Sequence, residues 1–354
     1  MDKKLHSGIS GKNLLKKKFR LSEFLAESII KSVAFVSFAV IILIFVFVFR
    51  EAIPIFYSEE EKVVTTEKEF IQETYGEEES VSLKIGNSIR KSPEEKDYEG
   101  KATLKNLAGK EWQPVSQNPK YGILPLIVGT FKVTMISVLV AAPISILAAL
   151  FTAVFATKRL KEVMKPVMEI LSGFPSVVIG FFALVAVATF LQNIFGYDFR
   201  LNAFVGGVAL SLAVIPIIYT VTDDALTSVP KFMTEASLAL GATKWQTALF
   251  VVLPAATPGV FAAVLLGVGR AFGETMIVLM ATGNASLMSL DIFEPVRTLS
   301  ATIGAEMAEV VFGDTHYNVL FLIGSILFIF TFALNAVAEF YVRQKLLKKF
   351  KGVS

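Results

Sequence analysis

The sequence predicts an all-α polytopic membrane protein with six transmembrane helices. Of its 354 residues, 54% are hydrophobic and only 18% are charged, and the apolar residues are gathered in long runs. Soluble domains usually carry about 25% charged residues. A bilayer core about 30 Å thick requires roughly 20 apolar residues in a helix, and six runs reach about that length. Water-soluble, disordered and nucleic-acid-binding proteins are therefore poor fits, and a formal net charge of only +3 agrees with this.

The six runs are apolar on all sides and lack a polar stripe, as helices surrounded by lipid do. A transmembrane β-barrel would instead require short segments of alternating polarity, which the sequence does not contain. Charged residues interrupt two runs, Lys132 in the second and Arg270 with Glu274 in the fifth. The predicted spans cover residues 32–49 (with the helix continuing to 57), 123–157, 170–197, 201–222, 254–282 and 317–338.

Lysine and arginine predict the orientation of the bundle. They are concentrated before the first span (residues 1–31), between spans two and three, and in the tail (residues 343–354), whereas the short opposite loops hold only Arg200 and Arg297. Because basic loops stay in the cytoplasm, both termini are predicted to lie inside a bacterial or archaeal plasma membrane. We call this the inner side and the opposite side the outer side. No A-x-A-like cleavage site follows the long first span, which predicts an uncleaved anchor.

Residues 58–120 differ from the rest of the chain in composition. They include 14 acidic and 10 basic residues and few large apolar ones, and they follow the first span on the outer side. We expect a solvated excursion here. Two interpretations stay open, a tolerated surface insertion or a docking surface for a partner on the outer side.

Residues 223–253 form the longest polar stretch on the inner side and predict a pair of helices. Thr227 or Ser228 can cap a helix that has Pro230 in its first turn. Gly241 can adopt a positive φ and end that helix, and a second helix starts near Thr243. In a soluble protein such a segment could bind DNA, but here spans flank it on both sides. A passive linker is a further alternative.

The sequence lacks the residues that metal binding, cofactor binding and ATP binding usually require. The chain has no cysteine and only two histidines, His6 and His316, which we expect to be incidental, so no metal site and no cofactor is predicted. The phosphate-binding loop G-x-x-x-x-G-K-[ST] is also missing. The chain is therefore not expected to be an enzyme or to bind ATP by that route, and energy for transport must come from another subunit or from a gradient.

The inner loop resembles a motif of permease subunits of ABC importers, written E-A-A-x3-G-x9-I-x-L-P. The spacing agrees throughout, with Ser in place of the second Ala and Val in place of Ile. This resemblance implies the type I importer permease fold and a short helix that fits a groove on an ATP-hydrolysing subunit. The residues that it assigns to ATPase coupling are Glu235, Ala236, Ser237, Gly241, Leu253 and Pro254, with Val251 completing the match.

Other segments are similar to PstC-type permeases of phosphate importers. The resemblance extends from about residue 111 to the C-terminus and implies a five-helix core over residues 121–342. It also implies a related second permease subunit in a heterodimer, two ATP-binding subunits and an extracytoplasmic phosphate-binding protein. The matching segments are GVGRAFGETM (residues 267–276), GFPSVVIGFFAL (residues 173–184), Tyr121, Gly122, Gly129 and Thr130.

Arg270 and Glu274 are the leading candidates for a substrate pathway. Their i, i+4 spacing places them on one helix face, close enough to pair, and an ionisable residue within a span costs at least ~2.5–3.5 kcal/mol. A guanidinium is a planar fork that matches phosphate oxygens, and the phosphate-importer resemblance implies that both residues act in transport. The alternative is a salt bridge that only locks two helices together.

Two weaker candidates carry their own alternatives. Lys132 either snorkels to the outer surface or adds a second positive group to the pathway. Gly173, Pro175 and Ser176 are expected to kink the third span and could form a gate.

Three functions stay open from the sequence. The first is the membrane subunit of an ABC importer for inorganic phosphate. The second is a permease for another oxyanion, such as molybdate or sulfate, or for a neutral solute, against which the charged pair argues. The third is a gradient-driven secondary transporter or channel, whose broken helices in matching halves are not found in this sequence. Neighbouring genes for an ATPase and a secreted binding protein would favour the first two.

Overall fold

The computed structural model describes residues 21–57 and 104–351, and most of the predicted outer excursion lies outside these described residues, as do both chain ends. The chain divides into two compact units, Met1–Val48 and Phe49–Ser354. In the first unit, residues 21–48 belong to one helix, α1 (Leu21–Ala52). The apolar side chains of that helix are exposed over residues 29–44, as a lipid-facing span requires.

The described part of the second unit is almost entirely helical, with one antiparallel two-stranded hairpin. Three π-helical turns interrupt its long helices, at Phe151–Phe155, Ala183–Val187 and Ala248–Val252. In chain order the other elements are α2 (Pro54–Tyr57), α3 (Leu104–Leu107), β1 (Trp112–Gln113), β2 (Lys120–Tyr121), α4 (Leu124–Leu150), α5 (Lys158–Gly173), α6 (Ser176–Phe182), α7 (Ala188–Phe195), α8 (Ala203–Thr227), α9 (Lys231–Ala239), α10 (Lys244–Thr247), α11 (Leu253–Phe272), α12 (Met276–Ala281), α13 (Leu299–Glu306) and α14 (Thr315–Lys351).

The six predicted spans are confirmed as helices that are long and apolar enough to cross a membrane. The largest departures from the prediction are at the fifth span, which begins at Lys244 instead of residue 254 and ends at Phe272 instead of residue 282, and the third span begins at Ser176 instead of residue 170. The helical bounds are Glu27–Phe56, Leu124–Phe155, Ser176–Phe195, Ala203–Thr227, Lys244–Phe272 and Thr315–Ala338.

The fourth span, α8, is the centre of the second unit. In its most apolar window 61% of the residues are buried, against at most 28% in the other spans. It packs against α4, α11 and α12. A small residue permits the close approach of α11, since a Cβ added to Gly267 would lie only 2.6 Å from the Ile218 side chain of α8.

The third span begins at Ser176 and not at residue 170 as predicted. The residues before it belong to α5, a separate helix that ends at Gly173. Phe174 and Pro175 are extended, with ψ angles of 130° and 133°, so the chain turns between α5 and α6. The proline accounts for the break, because the residue before a proline disfavours the helical conformation. The expected kink within one span is therefore wrong, and the proline separates two helices.

The fifth span ends at Phe272, well before the predicted residue 282. Gly273 caps α11, and Glu274 and Thr275 lie outside helices before α12 begins. The short α12 packs against α6 and α8 and is not a continuation of the span. Composition hides this break because the apolar run continues through α12.

Residues 104–120 do not form the solvated excursion expected of them. Leu107 and Trp112 are buried in an outer apolar cluster, where they join Tyr121 and side chains of α4 and α14. On the exposed side of the hairpin, Lys120 pairs with Glu111 at 2.7 Å. The prediction is wrong for this part because a few large apolar side chains in a charged segment are enough to reach a core.

Candidate functional site

Arg270 and Glu274 form the predicted ion pair, with 3.3 Å between the guanidinium Nη2 and the carboxylate Oε2. The two side chains differ in exposure, which is 45% for Arg270 and 4% for Glu274. Protein therefore encloses the carboxylate, whereas the guanidinium has one open side. A cation oriented by a carboxylate on one side and open on the other can receive an anion.

Glu274 lies in the break between α11 and α12 and not within the span as predicted. Its backbone carbonyl accepts a hydrogen bond of 2.6 Å from the Ser300 hydroxyl of α13. α13 also lies close to the break, since a Cβ added to Gly304 would be 2.6 Å from Thr275 Cγ2. α13 thus holds the carboxylate-bearing turn in place.

The ion pair lies at the depth of the spans. Phe272, two residues after Arg270, stacks on Phe330 of α14 with ring centroids 4.0 Å apart. Phe330 is well inside the last span, Thr315–Ala338, and Phe131 of α4 packs edge-on against both rings at 5.3 Å. An exposed guanidinium at this depth is costly against lipid. Its open side must therefore face water, an anion or another subunit.

Asn335 of α14 is a polar residue near the pair that the sequence analysis did not single out. A Cβ added to Gly269, the residue before Arg270, would lie 3.4 Å from Asn335 Oδ1. The Asn335 side chain is exposed, and within the described part of the chain it has no hydrogen-bond partner. An unsatisfied amide is costly in apolar surroundings, so Asn335 also needs a polar neighbour from outside this chain. The available signal was an amide in the apolar run of the last predicted span, which also contains Asn318, Ser325 and Thr331.

Lys132 takes a different position from the ion pair. Its Nζ donates a hydrogen bond of 2.8 Å to the backbone carbonyl of Asp291, in the loop before α13. Among the described residues, no hydrogen bond or ion pair joins Lys132 to Arg270 or Glu274. The contact with a loop carbonyl fits the snorkelling alternative, and a role in the pathway stays a prediction.

The inner loop folds as a pair of short helices, as predicted. Gly241 follows α9 with a φ of 87° and ends it in the expected left-handed conformation. Thr243 caps α10 in a reciprocal capping box with Gln246. The predicted cap of the first helix is wrong, because the hydroxyls of Thr227 and Ser228 donate to backbone carbonyls of α8 instead, at 2.8 and 2.7 Å.

The motif residues are divided between an exposed part and a packed part. Glu235 and Ala236 are exposed. The Ser237 hydroxyl lies 3.0 Å from that of Thr247, which joins α9 to α10. Leu253, at the start of α11, packs against an inner apolar cluster. The motif thus combines a free helix face with a firm attachment to the fifth span.

Leu238 of α9 is 40% exposed, and three other large apolar side chains around this helix pair are more exposed. They are Phe232 at 69%, Leu240 at 90% and Trp245 at 54%, and we call them the loop patch. Glu235 and Gly241 lie between them in sequence. Exposed apolar residues gathered on one loop are typical of a protein contact surface.

A buried polar cluster on the outer side was not predicted. Trp112 Nε1 donates to the Glu306 carboxylate at 3.1 and 3.2 Å, His316 Nε2 lies 2.9 Å from it, and Arg297 pairs with it. Burial alone raises the pKa of the Glu306 carboxyl, but the hydrogen bonds from His316 and Trp112 and the Arg297 charge outweigh it and hold that pKa below its usual range. The expectation that His316 is incidental is wrong. Trp112 is 194 positions from Glu306, and Arg297 and His316 are 9 and 10 positions from it but lie outside α13, so no local pattern marks the cluster.

Six apolar helices, a charged pair at their depth and an exposed helix pair between two of them define a multi-pass membrane permease. Residues 141–344 match the family described as binding-protein-dependent transport system inner membrane component, and the chain belongs to this family of ABC importer permeases.

The chain is also similar to individual proteins with assigned names. The chain is 38% identical over 233 residues to the probable ABC transporter permease protein YqgH of Bacillus subtilis, covering 66% of this chain and 75% of that protein. It is 32% identical over 253 residues to the phosphate transport system permease protein PstC of Mesorhizobium japonicum, covering 66% and 76%. The predicted resemblance to PstC-type permeases is confirmed. Among solved structures, the inward-facing MetNI methionine ABC transporter is 21% identical, with a TM-score of 0.46 over 63% of this chain and 94% of that chain.

Proposed function

We propose that this chain is the membrane-spanning permease subunit of an ATP-driven, binding-protein-dependent importer for inorganic phosphate. The observation that carries the proposal is the Arg270 guanidinium, which lies at the depth of the spans, is held by a buried carboxylate and is open on one side. The similarity to PstC proteins of Mesorhizobium japonicum and Mycobacterium bovis supports phosphate as the anion.

The chemistry of the pair suits a group that must bind phosphate and release it. A guanidinium offers two parallel donors to two phosphate oxygens. Glu274 keeps the fork oriented, and its negative charge weakens the hold on the anion, so the anion can leave. Asn335 adds an amide with both a donor and an acceptor. Hydrogen phosphate carries an O–H that the amide oxygen can accept, whereas sulfate at neutral pH has no such proton.

The open sides of Arg270 and Asn335 support a second permease subunit opposite this one. Both side chains are exposed on the second unit at a depth where lipid is a poor neighbour. A pathway between two permease subunits would supply water, the anion and polar groups to both. A related second subunit in a heterodimer is the arrangement that we propose.

The loop patch supports coupling to an ATP-hydrolysing subunit. Phe232, Leu240 and Trp245 present apolar surface on a loop predicted to be cytoplasmic, and the chain lacks a phosphate-binding loop of its own. Glu235, Ala236 and Gly241 of the motif would lie at this contact. Closure of an ATPase dimer would then move α9 and, through α10, the fifth span.

Uptake by the complete importer in proteoliposomes tests the proposal. With ATP inside and the phosphate-binding protein outside, we expect uptake of labelled phosphate that requires both. A permease for another oxyanion is the second candidate, because the relative from Bacillus subtilis is named only as a probable ABC permease. If the importer takes up molybdate or sulfate but not phosphate, the second candidate is favoured. Uptake that does not require ATP would contradict an ABC importer.

A further inference from the structure

α5 is amphipathic, and one part of its apolar surface is packed against the protein. Met164 and Met168 lie against the inner apolar cluster, which includes Tyr219 and Leu226 of α8. Lys161 Nζ donates to the Ala153 carbonyl at 2.9 Å. This side of the helix fixes α5 to the ends of α4 and α8.

A second part of the apolar surface of α5 has no cover in this chain. Leu160, Val163, Val167 and Ile170 are 36%, 57%, 47% and 64% exposed. Their spacing of three, four and three residues places them along one helix face. We call them the aliphatic strip. A continuous line of branched aliphatic side chains exposed to water would be unfavourable, so the strip requires an apolar neighbour.

Arg159 borders the aliphatic strip, four residues before Val163, whereas the other charged side chains of α5 lie on other faces, and four of the six charges are basic. Lys158 and Arg159 begin the helix and are exposed, and Lys165 follows on the polar side. The acidic residues of the helix are Glu162 and Glu169. A helix with an apolar face and an opposing basic face is typical of one that lies in a membrane interface.

The ends of α5 fit this location. The helix follows the second span, Leu124–Phe155, and the side chain of Thr157 caps its start. It ends at the extended Phe174 and Pro175, directly before the third span. The helix therefore joins the ends of two spans on the side where the basic loops are predicted to lie.

We propose that α5 is an interfacial helix whose aliphatic strip enters the inner leaflet and whose basic residues bind anionic phospholipid headgroups. Lipid is favoured over a protein partner because the exposed apolar surface continues directly into the third span, at Phe174, Val177, Val178 and Phe181. The basic residues of α5 also match the charge of the inner leaflet, which is negative and attracts lysine and arginine near its surface.

An interfacial α5 would link the membrane surface to α8. Lys165 and Lys161 act electrostatically on Asp223, a buried carboxylate near the end of α8. α8 continues into the loop that carries α9. Binding of α5 to headgroups therefore holds the base of the inner loop against the membrane surface.

The absence of cysteine from the chain permits a clean depth measurement. Single variants Val167→Cys and Glu169→Cys carry a nitroxide label in the assembled importer, in nanodiscs of phosphatidylglycerol and phosphatidylcholine. We expect the label at position 167 to collide with oxygen and to be shielded from a water-soluble nickel chelate, and the label at 169 to show the reverse. Access of the chelate to position 167 overturns the proposal, as does shielding of that position from both reagents, which would indicate a protein partner.

Headgroup binding is tested separately with the same complex. Retention of phosphatidylglycerol on the purified importer should fall roughly 10-fold or more when Lys158 and Arg159 are both changed to Gln, because each basic residue near an anionic surface contributes substantially. Glu162→Gln is the matched control and should not weaken retention. Excess inorganic phosphate should not displace the lipid. Unchanged retention in the double variant, or displacement by phosphate, overturns headgroup recognition by α5.

Discussion

Trp112 donates its indole N–H to the carboxylate of Glu306, although the two residues are 194 positions apart in the chain. The same carboxylate pairs with Arg297 and lies 2.9 Å from His316. One buried acid thus joins the hairpin, the loop before α13, α13 itself and the start of the last span. Because α13 also supports the turn that carries Glu274, this outer cluster and the proposed pathway share a structural element.

Replacing Glu306 should destabilise the outer side of the protein. Glu306→Gln removes the charge that compensates Arg297, and breaking a buried pair typically costs on the order of 3–5 kcal/mol, less where the partners are partly exposed. We expect a clearly lower thermal unfolding midpoint for the purified protein. Glu309→Gln, at an exposed position three residues later, is the control and should unfold as the native protein does. Equal midpoints for the two variants would contradict a stabilising role of the cluster.

The stability difference between the native protein and Glu306→Gln should depend on pH. The pKa of Glu306 is lower in the folded protein than in the unfolded chain, so the folded state is favoured above the unfolded pKa, which is about 4.3. This contribution is lost as the pH falls through the folded pKa. Unfolding midpoints measured from neutral to acidic pH should therefore begin to converge near the unfolded pKa and meet below the folded one. A difference that stays constant across this range would show that the carboxylate charge is not its source.

Phosphate uptake should depend on the two parallel donors of the Arg270 guanidinium and not only on its charge. Arg270→Lys keeps the charge but loses the two parallel donors, so phosphate uptake should fall at least 10-fold, and Arg270→Gln should abolish it. Glu274→Gln should also impair uptake, since the guanidinium would lose its partner and hold the anion too firmly. The double neutral variant separates the alternatives, because recovery of uptake would indicate a mere structural lock. Membrane levels and ATPase association are measured alongside and should be normal.

Asn335 should affect the anion that is carried more than the amount of folded protein. Asn335→Leu keeps a branched side chain but removes the amide that lies beside Gly269, the residue before Arg270, and we expect several-fold lower phosphate uptake and a weaker preference for phosphate over sulfate. Thr331→Val on the same helix is the control, because that hydroxyl donates to the Leu327 carbonyl of its own helix. Competition of sulfate against labelled phosphate measures the preference. An unchanged preference in Asn335→Leu would remove this residue from the pathway.

Gly241 should be needed for its backbone conformation and not for its size. Its φ is 87°, and an added Cβ would meet no atom within 4 Å. Gly241→Val should therefore disturb the joint between α9 and α10 and uncouple uptake from ATP hydrolysis, although the protein reaches the membrane. Gly241→Asn is the matched variant, because asparagine tolerates this conformation, and it should retain most uptake. If valine and asparagine behave alike, the conformation of residue 241 is not what couples the subunits.

The spans and the inner loop could be predicted because each is encoded locally. Apolar runs mark the helices, and the spacing from Glu235 to Pro254 marks the helix pair. The break at Gly273 could not be predicted, because apolar residues continue beyond it into α12, which packs against α6, α8 and α13. The Arg270–Glu274 pair could be predicted from its i, i+4 spacing. Asn335 lies on a different helix, and the partners of Glu306 lie on the hairpin, in the loop before α13 and in the last span, so no local pattern predicts them.

The helix that begins in the inner loop has a further consequence. α10, the π-helical turn and α11 form one helix from Lys244 to Phe272, 29 residues long, which spans about 43 Å at 1.5 Å per residue. Trp245 of the loop patch lies at one end of this rod and Arg270 at the other. If the loop patch contacts an ATPase subunit as proposed, a push on the indole end would be transmitted along this helix to the guanidinium, and the π-helical turn Ala248–Val252 lies between the two. The proposed ATPase contact and the proposed anion site would then move together, because a single helix carries both Trp245 and Arg270.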